Sequence, residues 1–395
     1  MKRGLALEGG GARGAYHIGA VKALIENGYT FDGFVGTSIG AVNAAVLAQG
    51  DFEKALDIWT NISLEQLFDE NEHGLLHLVN IKKLKLNTET TLGARKALTK
   101  VISSKGINTE KMIDFLKTHI NEEKVRSSGK DFGLVTVSLT ERKPYELMLD
   151  DIPQGKLVDY IMASASFPGF RPQTIEGKKY LDGAVYNNCP VNLLAKLDYD
   201  EIIAIRINSL GLVPLNITKM KNVKIISPKG NLGRVMMFSS ENSAANLKLG
   251  YCDGLRFVKK LRGSFYYINP LDDNAANAQL MSINDSTILE IGKILGLTKI
   301  PPKRMLFEKI IPRLSAYLEL EKNYDYEDFL IALLEQAAKQ KGIDQFQVYD
   351  YNQLRYLTKN APTPKNSKKP LDKLITNTLM ARKKAAAELL INKFL

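Results

Sequence analysis

Between Glu8 and Val42 the chain makes two glycine-framed turns, and few folds accommodate both. The first, Gly9-Gly10-Gly11-Ala12-Arg13-Gly14, follows the short apolar run Gly4 to Leu7 and opens the helical pattern Tyr16 to Glu26. The second, Gly36-Thr37-Ser38-Ile39-Gly40, follows Phe34 and Val35 and opens an apolar helix, Ala41 to Leu47. The order strand, glycine loop, helix, strand, serine turn, helix is a βαβα unit, which brings both loops to the carboxyl edge of one parallel sheet. A serine between two glycines at a strand-to-helix turn is the nucleophile-elbow pattern, in which small neighbours permit the strained backbone that exposes the hydroxyl. Ser38 then stands at a helix N-terminus, where free N–H groups and the helix dipole favour developing negative charge. The N–H groups of Gly10, Gly11 and Ile39 are the candidate oxyanion hole.

Each turn alone has other readings. Gly9-x-Gly11-x-x-Gly14 also fits a dinucleotide fingerprint, with Asp32 near the distance at which a ribose-binding acid is sought. That acid belongs at the end of the second strand, however, whereas Asp32 precedes it, and the serine turn is left without a purpose. A serine nucleophile needs a base. The four histidines are His17, His73, His77 and His119, and none follows Ser38 in the Ser, Asp, His order of a triad. His73 and His77 are four residues apart without a third ligand, so they make no metal site. His17, three residues past the glycine loop, reads as a packed or capping residue more readily than as the base.

A better base is Asp182, which follows the strand-like Lys178 to Leu181 and precedes Gly183. An Asp-Gly pair is by itself an ordinary turn. Together with the two glycine turns it resembles the patatin-like phospholipase family, whose members use a Ser-Asp dyad without histidine. The resemblance runs through Gly9 to Gly14, Gly36 to Ala41, Ala163-Ser164-Ala165-Ser166-Phe167-Pro168-Gly169-Phe170, and Asp182-Gly183 trailed by Asn187-Asn188-Cys189-Pro190-Val191, and covers roughly Lys2 to Pro228. It implies an α/β three-layer sandwich with a mostly parallel central sheet, Ser38 as nucleophile, Asp182 as general base, and phospholipid, lysophospholipid or related glycerolipid esters as substrates. No metal or organic cofactor is implied. An aspartate near its ordinary pKa of about 3.9 is a poor base, so Asp182 must be desolvated and held against the hydroxyl. Three roles are open to Arg13: stabilising the oxyanion loop, receiving a substrate phosphate, or pairing with a surface carboxylate.

The 395 residues suffice for one large α/β domain and a helical C-terminal appendage, and 45% hydrophobic with 25% charged residues is ordinary for a globular chain. Cys189 and Cys252 suggest neither disulfide framework nor metal site, in keeping with a reducing compartment. Met1-Lys2-Arg3 passes at once into the first strand, which predicts no secretory leader and a cytoplasmic setting. The uncharged run Gly33 to Gly50 is broken by glycines and polar residues and reads as buried strand and helix, not as a membrane span.

Helical patterning dominates Phe52 to Ile120 and includes the basic segment Ile81 to Leu86, so 52–130 is an insertion that either covers the site or merely packs. Phe132 to Leu139, Glu201 to Ile207 and Val223 to Ile226 read as strands. A boundary is expected at Pro301-Pro302, dividing a catalytic domain, 1–300, from a helical region, 301–395. Residues 351–395 carry ten Lys and Arg against two acids, most of the net charge of +11. Within Leu371 to Leu395, Leu374, Ile375, Leu379, Ala386, Leu390 and Phe394 recur at near-helical spacing among lysines. Such a helix either lies peripherally on an anionic membrane or docks its stripe on the rest of the protein. No zinc spacing, helix-turn-helix pattern or aromatic platform accompanies the basic balance, which argues against a nucleic-acid partner. The remaining alternative, a noncatalytic protein of the same fold, leaves the presence of both Ser38 and Asp182 unexplained.

Overall fold

Near-continuous apolar runs form the centre of an eight-stranded sheet, because strands covered on both faces have no solvent side for polar residues. The computed structural model describes residues 1–74, 76, 106–214, 217, 220–362 and 379–394. The strands are β1 (Arg3–Leu7), β2 (Gly33–Thr37), β3 (Asp131–Ser138), β4 (Lys143–Met148), β5 (Gln173–Ile175), β6 (Lys178–Asp182), β7 (Glu201–Ile205) and β8 (Val223–Ile226). Their lateral order is β5-β6-β3-β2-β1-β7-β8, with β4 also on β3. From β3 to β8 through β2, β1 and β7 all pairings are parallel, while β4, β5 and β6 add antiparallel ones.

Register decides what meets at the sheet's edge. One side of β3 is taken along Gly133–Ser138 by β4. Its other side is therefore shared: β2 pairs along it up to Thr37 opposite Val135, and β6 takes over with Asp182 opposite Thr136. The ends of β2 and β6 are thus brought head to head.

Helix α1 (Ala15–Glu26) follows the glycine loop, α2 (Ile39–Ala48) follows the serine turn, and α3 (Phe52–Asn61) comes next. Every residue of α2 is buried, as a helix apolar on all sides must be. The described parts of 52–130 are helical, including Leu64–Leu67, Glu110–His119 and Glu122–Ser127; His77 and the basic segment Ile81 to Leu86 lie outside the described residues.

The chain divides into two units, Met1–Leu255 and Arg256–Leu395, so the expected boundary at Pro301-Pro302 falls inside the second. The reason is a shared core: Tyr266, Ile268, Leu280 and Ile288 pack with Phe329, Leu334 and Leu354. Buried Glu335 also accepts the N–H groups of Phe265 and Tyr266 at 2.8 and 2.7 Å, tying the start of the unit to its middle. Pro301-Pro302 is not a linker; it caps and opens the short helix Pro302–Met305, where a proline ring fits the first turn. The C-terminal helix Leu379–Phe394 buries Ala386, Ala387, Leu390 and Ile391 in this same core. Of the apolar stripe, Ala386 and Leu390 are thus covered, as the docking alternative requires, whereas Leu379 is 63% exposed; Leu374 and Ile375 lie outside the described residues.

Candidate active site

Ser38 carries the backbone strain that its surroundings predict. Its φ of 56° and ψ of −127° are unfavourable for a side chain, and they turn the residue out of β2 immediately before α2. The flanking glycines serve a different need, close approach. A Cβ on Gly36 would strike the backbone of Gly40 and Ala41, and one on Gly40 would come within 2.8 Å of the Leu7 carbonyl carbon. The Ser38 N–H donates to Ser164 Oγ at 2.9 Å, and Ser164 Oγ donates to the Val135 carbonyl at 2.6 Å, so the small-residue block at 163–166 pins the elbow to β3.

Across the β2–β6 junction, the Asp182 carboxylate is brought close to the Ser38 hydroxyl, which favours its charged form. The Ala184 N–H donates to its Oδ1 at 2.8 Å. Asp182 is 1% exposed. Burial pushes its carboxyl up to about 6, against the partial relief given by Ser38 and the Ala184 N–H. Gly183 follows because no side chain fits: a Cβ there would strike the Val135 carbonyl and reach 3.0 Å from Thr37 Cγ2.

The glycine loop meets the elbow directly, since a Cβ on Gly9 would stand 3.0 Å from that of Ser38. Gly9 N–H donates to the Asn188 carbonyl at 3.0 Å and Ala12 N–H to that of Val235 at 2.7 Å. Between them, the N–H groups of Gly10 and Gly11 meet no acceptor among the described residues. Gly11 has φ of +56°, and a Cβ on it would strike the Val235 carbonyl. Ile39, the third candidate donor, is the first residue of α2, where helical geometry leaves N–H groups unpaired.

Two charged residues hold this loop, and the sequence pointed to only one. Arg13 donates to the carbonyls of Asn208 at 2.8 Å and Gly233 at 2.9 Å, so the guanidinium ties the glycine loop to both segments. Burial lowers its pKa, partly offset by Glu8. Glu8 itself is fully buried, pairs with Arg206 Nε at 2.9 Å and accepts the Ile207 N–H at 2.6 Å, anchoring the loop to the end of β7. A lone acid ending an apolar strand was its only sequence signal. Asn188 adds a bond to the Gly9 carbonyl at 3.2 Å.

His17 lies elsewhere in function. It is fully buried, burial pushes its imidazole down to about 3, and Asn43 Nδ2 contacts its Nδ1 at 3.2 Å while Asn43 Oδ1 accepts from Trp59 at 2.8 Å. It is a neutral packing residue between α1 and α2. Asp32 precedes β2 and accepts the Arg3 N–H at 2.8 Å, at the opposite end of the strands from the glycine loop, which removes the acid a dinucleotide site requires. Beside the first turn of α2 lies an apolar cavity of about 30 Å3, lined among others by Ile39, Val42, Val46, Trp59, Leu116 and Phe238.

Residues 5–195 match the family model of the patatin-like phospholipases. The chain carries a patatin-like phospholipase domain. Relatives of this patatin-like region include an uncharacterized NTE family protein of Mycobacterium tuberculosis, 29% identical over 206 residues, covering 52% of this chain and 48% of that one. The probable lipid hydrolase 463L of invertebrate iridescent virus 6 is 24% identical over 276 residues, covering 62% of this chain and 87% of that one. The chain spans about half the length of the first of these curated relatives. Among solved structures, VipD from Legionella pneumophila aligns with a TM-score of 0.41 and 15% identity, over 100% of this chain and 90% of that one. All four sequence blocks of the patatin-like resemblance lie in the first unit, and the other three all reach the block that holds Ser38.

Proposed function

We propose that the protein is a serine acyl hydrolase of glycerolipid esters, phospholipids or lysophospholipids among them, working through a Ser38–Asp182 dyad. The observation that carries this reading is the Ser38 hydroxyl set beside a buried carboxylate whose pKa is lifted to about 6. At that value the carboxylate is largely ionised at neutral pH yet a far better base than an exposed aspartate. Asp182 takes the hydroxyl proton as Ser38 Oγ attacks the ester carbonyl, and the carbonyl π electrons move to the oxygen. The N–H groups of Gly10, Gly11 and Ile39 receive that oxyanion. Collapse breaks the bond to the alcohol, which leaves with the proton from Asp182. Water then attacks the acyl-enzyme, losing its proton to Asp182; collapse breaks the ester bond to Ser38 Oγ, which takes that proton back as the fatty acid leaves. Arg13 and Glu8 are positioning residues that keep the loop donors aimed. The apolar cavity beside Ile39 is suited to the first carbons of an acyl chain.

Fluorophosphonate labelling and ester hydrolysis test the reading together. Ser38→Ala is expected to abolish both, and Asp182→Asn to reduce both by several orders of magnitude with the fold intact. Full turnover by folded Asp182→Asn would remove the dyad. Comparison of lipid extracts treated with wild type and Ser38→Ala identifies the ester cleaved.

A further inference from the structure

Five large apolar side chains stand in solvent around the mouth of this site. Leu210 is 92% exposed, Leu212 64%, Met237 48%, Tyr186 47% and Val185 42%. Singly they are unremarkable, but the backbone joins them into one border. Val185 and Tyr186 come three and four residues after Asp182. The Leu212 N–H donates to the Ala184 carbonyl at 2.9 Å, and the Leu212 carbonyl accepts from Asn188 N–H at 2.6 Å, so the two segments lie side by side. Ser209 touches Gly10, its Oγ 2.9 Å from where a Cβ would be. Arg13 ties Asn208 and Gly233 to the glycine loop, and Met237 Sδ lies 3.6 Å from the Cβ position of Gly233.

Charge on the same stretch has one sign. From Ile202 to Ser240 there are six Lys and Arg and no Asp or Glu. Arg206 and Lys224 are neutralised by Glu8 and Glu201. Lys229 and Arg234, which follow β8 at the end of the sheet that carries Ser38, are exposed; Lys221 precedes β8 and lies at the opposite end. Apolar tips next to exposed positive charge are the chemistry of a surface that enters an anionic lipid interface, where apolar burial and electrostatic attraction add.

We propose that this border, Val185-Tyr186, Leu210, Leu212 and Met237 with Arg234 beside them, docks on an anionic bilayer and seats the Ser38 mouth on it. The purpose of the contact rests on the hydrolase reading; the contact itself does not. It is argued from other residues than the C-terminal stripe, of which Ala386 and Leu390 are buried in a core while Leu379 is exposed.

The test uses the full chain, Leu210→Gln/Leu212→Gln and, separately, Arg234→Glu. Each is co-sedimented with phosphatidylglycerol–phosphatidylcholine vesicles and assayed on a vesicle-borne ester and a short soluble ester. The leucine variant is expected to bind at least about ten-fold more weakly and to lose vesicle hydrolysis in proportion, with the soluble-ester rate unchanged. Arg234→Glu is expected to weaken binding at low salt only. Unchanged sedimentation of both variants overturns the proposal, as does equal loss on the soluble ester, or a dimer that the leucine variant dissociates while vesicle binding persists. A wild type that hydrolyses neither ester but sediments in a Leu210-dependent way supports the docking face and sinks the hydrolase reading instead.

Discussion

Asp182 links the chemistry to pH with a definite sign. Its carboxyl moves from 3.8 to about 6 on folding, so only above about 6 is the base free to take the Ser38 proton. kcat/KM on a soluble ester is therefore expected to fall about ten-fold per pH unit below 6, and a plateau continuing down to pH 4 would refute the burial argument. The same shift acts on stability. Below 3.8 the carboxyl is protonated folded or unfolded, and its burial favours the folded state most; that advantage is lost as pH rises through about 6. Asp182→Asn, neutral throughout, should thus gain on wild type between pH 4 and 7 by on the order of 2 kcal/mol in urea unfolding. An equal difference at both pH values would mean that desolvation is not the cause. Sequence indicated this residue through its Asp-Gly pair and the family resemblance, but not its burial, because Leu181, Ala184 and Val185 suit an ordinary turn equally well, and Val185 is in fact 42% exposed.

Among the elements, the elbow and the C-terminal helix make contrasting demands. Gly40 lies so close to the end of β1 that a Cβ would come within 2.8 Å of Leu7 backbone and 3.1 Å of the Glu8 carbonyl oxygen, neither of which rotates away. Gly40→Ala is expected to destabilise by about 1–3 kcal/mol and to cost fluorophosphonate labelling as the elbow shifts; full labelling with unchanged stability would show the turn to be plastic. The strain itself sits on Ser38, not on its glycines, a distinction that a G-x-S-x-G string does not contain. In the C-terminal helix, Leu390 is fully buried, so Leu390→Ala should cost about 2–5 kcal/mol in the unfolding of its unit. A cost below about 0.5 kcal/mol would return the stripe to solvent and reopen its membrane role. Spacing revealed the amphipathic helix; what its apolar side faces is a property of Phe329, Leu334 and their neighbours, far away in the chain.

For the whole molecule the governing quantity is charge. Net +11 is concentrated in 351–395 and in the acid-free stretch 202–240, while the rest is nearly balanced. Binding to anionic vesicles should accordingly fall steeply between about 0.1 M and about 1 M salt as the screening length shrinks from about 10 Å to about 3 Å, with a remainder due to the apolar border. Salt-independent binding would show that charge contributes little. The division of the chain also belongs to this scale. Pro301-Pro302 looked like a boundary because proline pairs often mark linkers, yet Tyr266 to Ile288 share a core with residues beyond 325, and no local pattern announces which apolar faces will meet.

The sequence by itself determined the βαβα start, the parallel strands at 131–138, 201–205 and 223–226, and the identity of Ser38 and Asp182 as partners worth testing. Those follow from local physics: apolar runs need cover, serine between glycines needs a sharp turn, and glycine loops open helices. Tertiary structure alone decided that β2 and β6 share one side of β3, which puts a residue 144 positions away against the Ser38 hydroxyl. It also decided that Glu8 and Arg13 clamp the glycine loop and that the C-terminal stripe closes a core. The physical reason is the same in each case: burial and hydrogen bonding depend on which surfaces the whole chain brings together, and those distances are not written in sequence spacing.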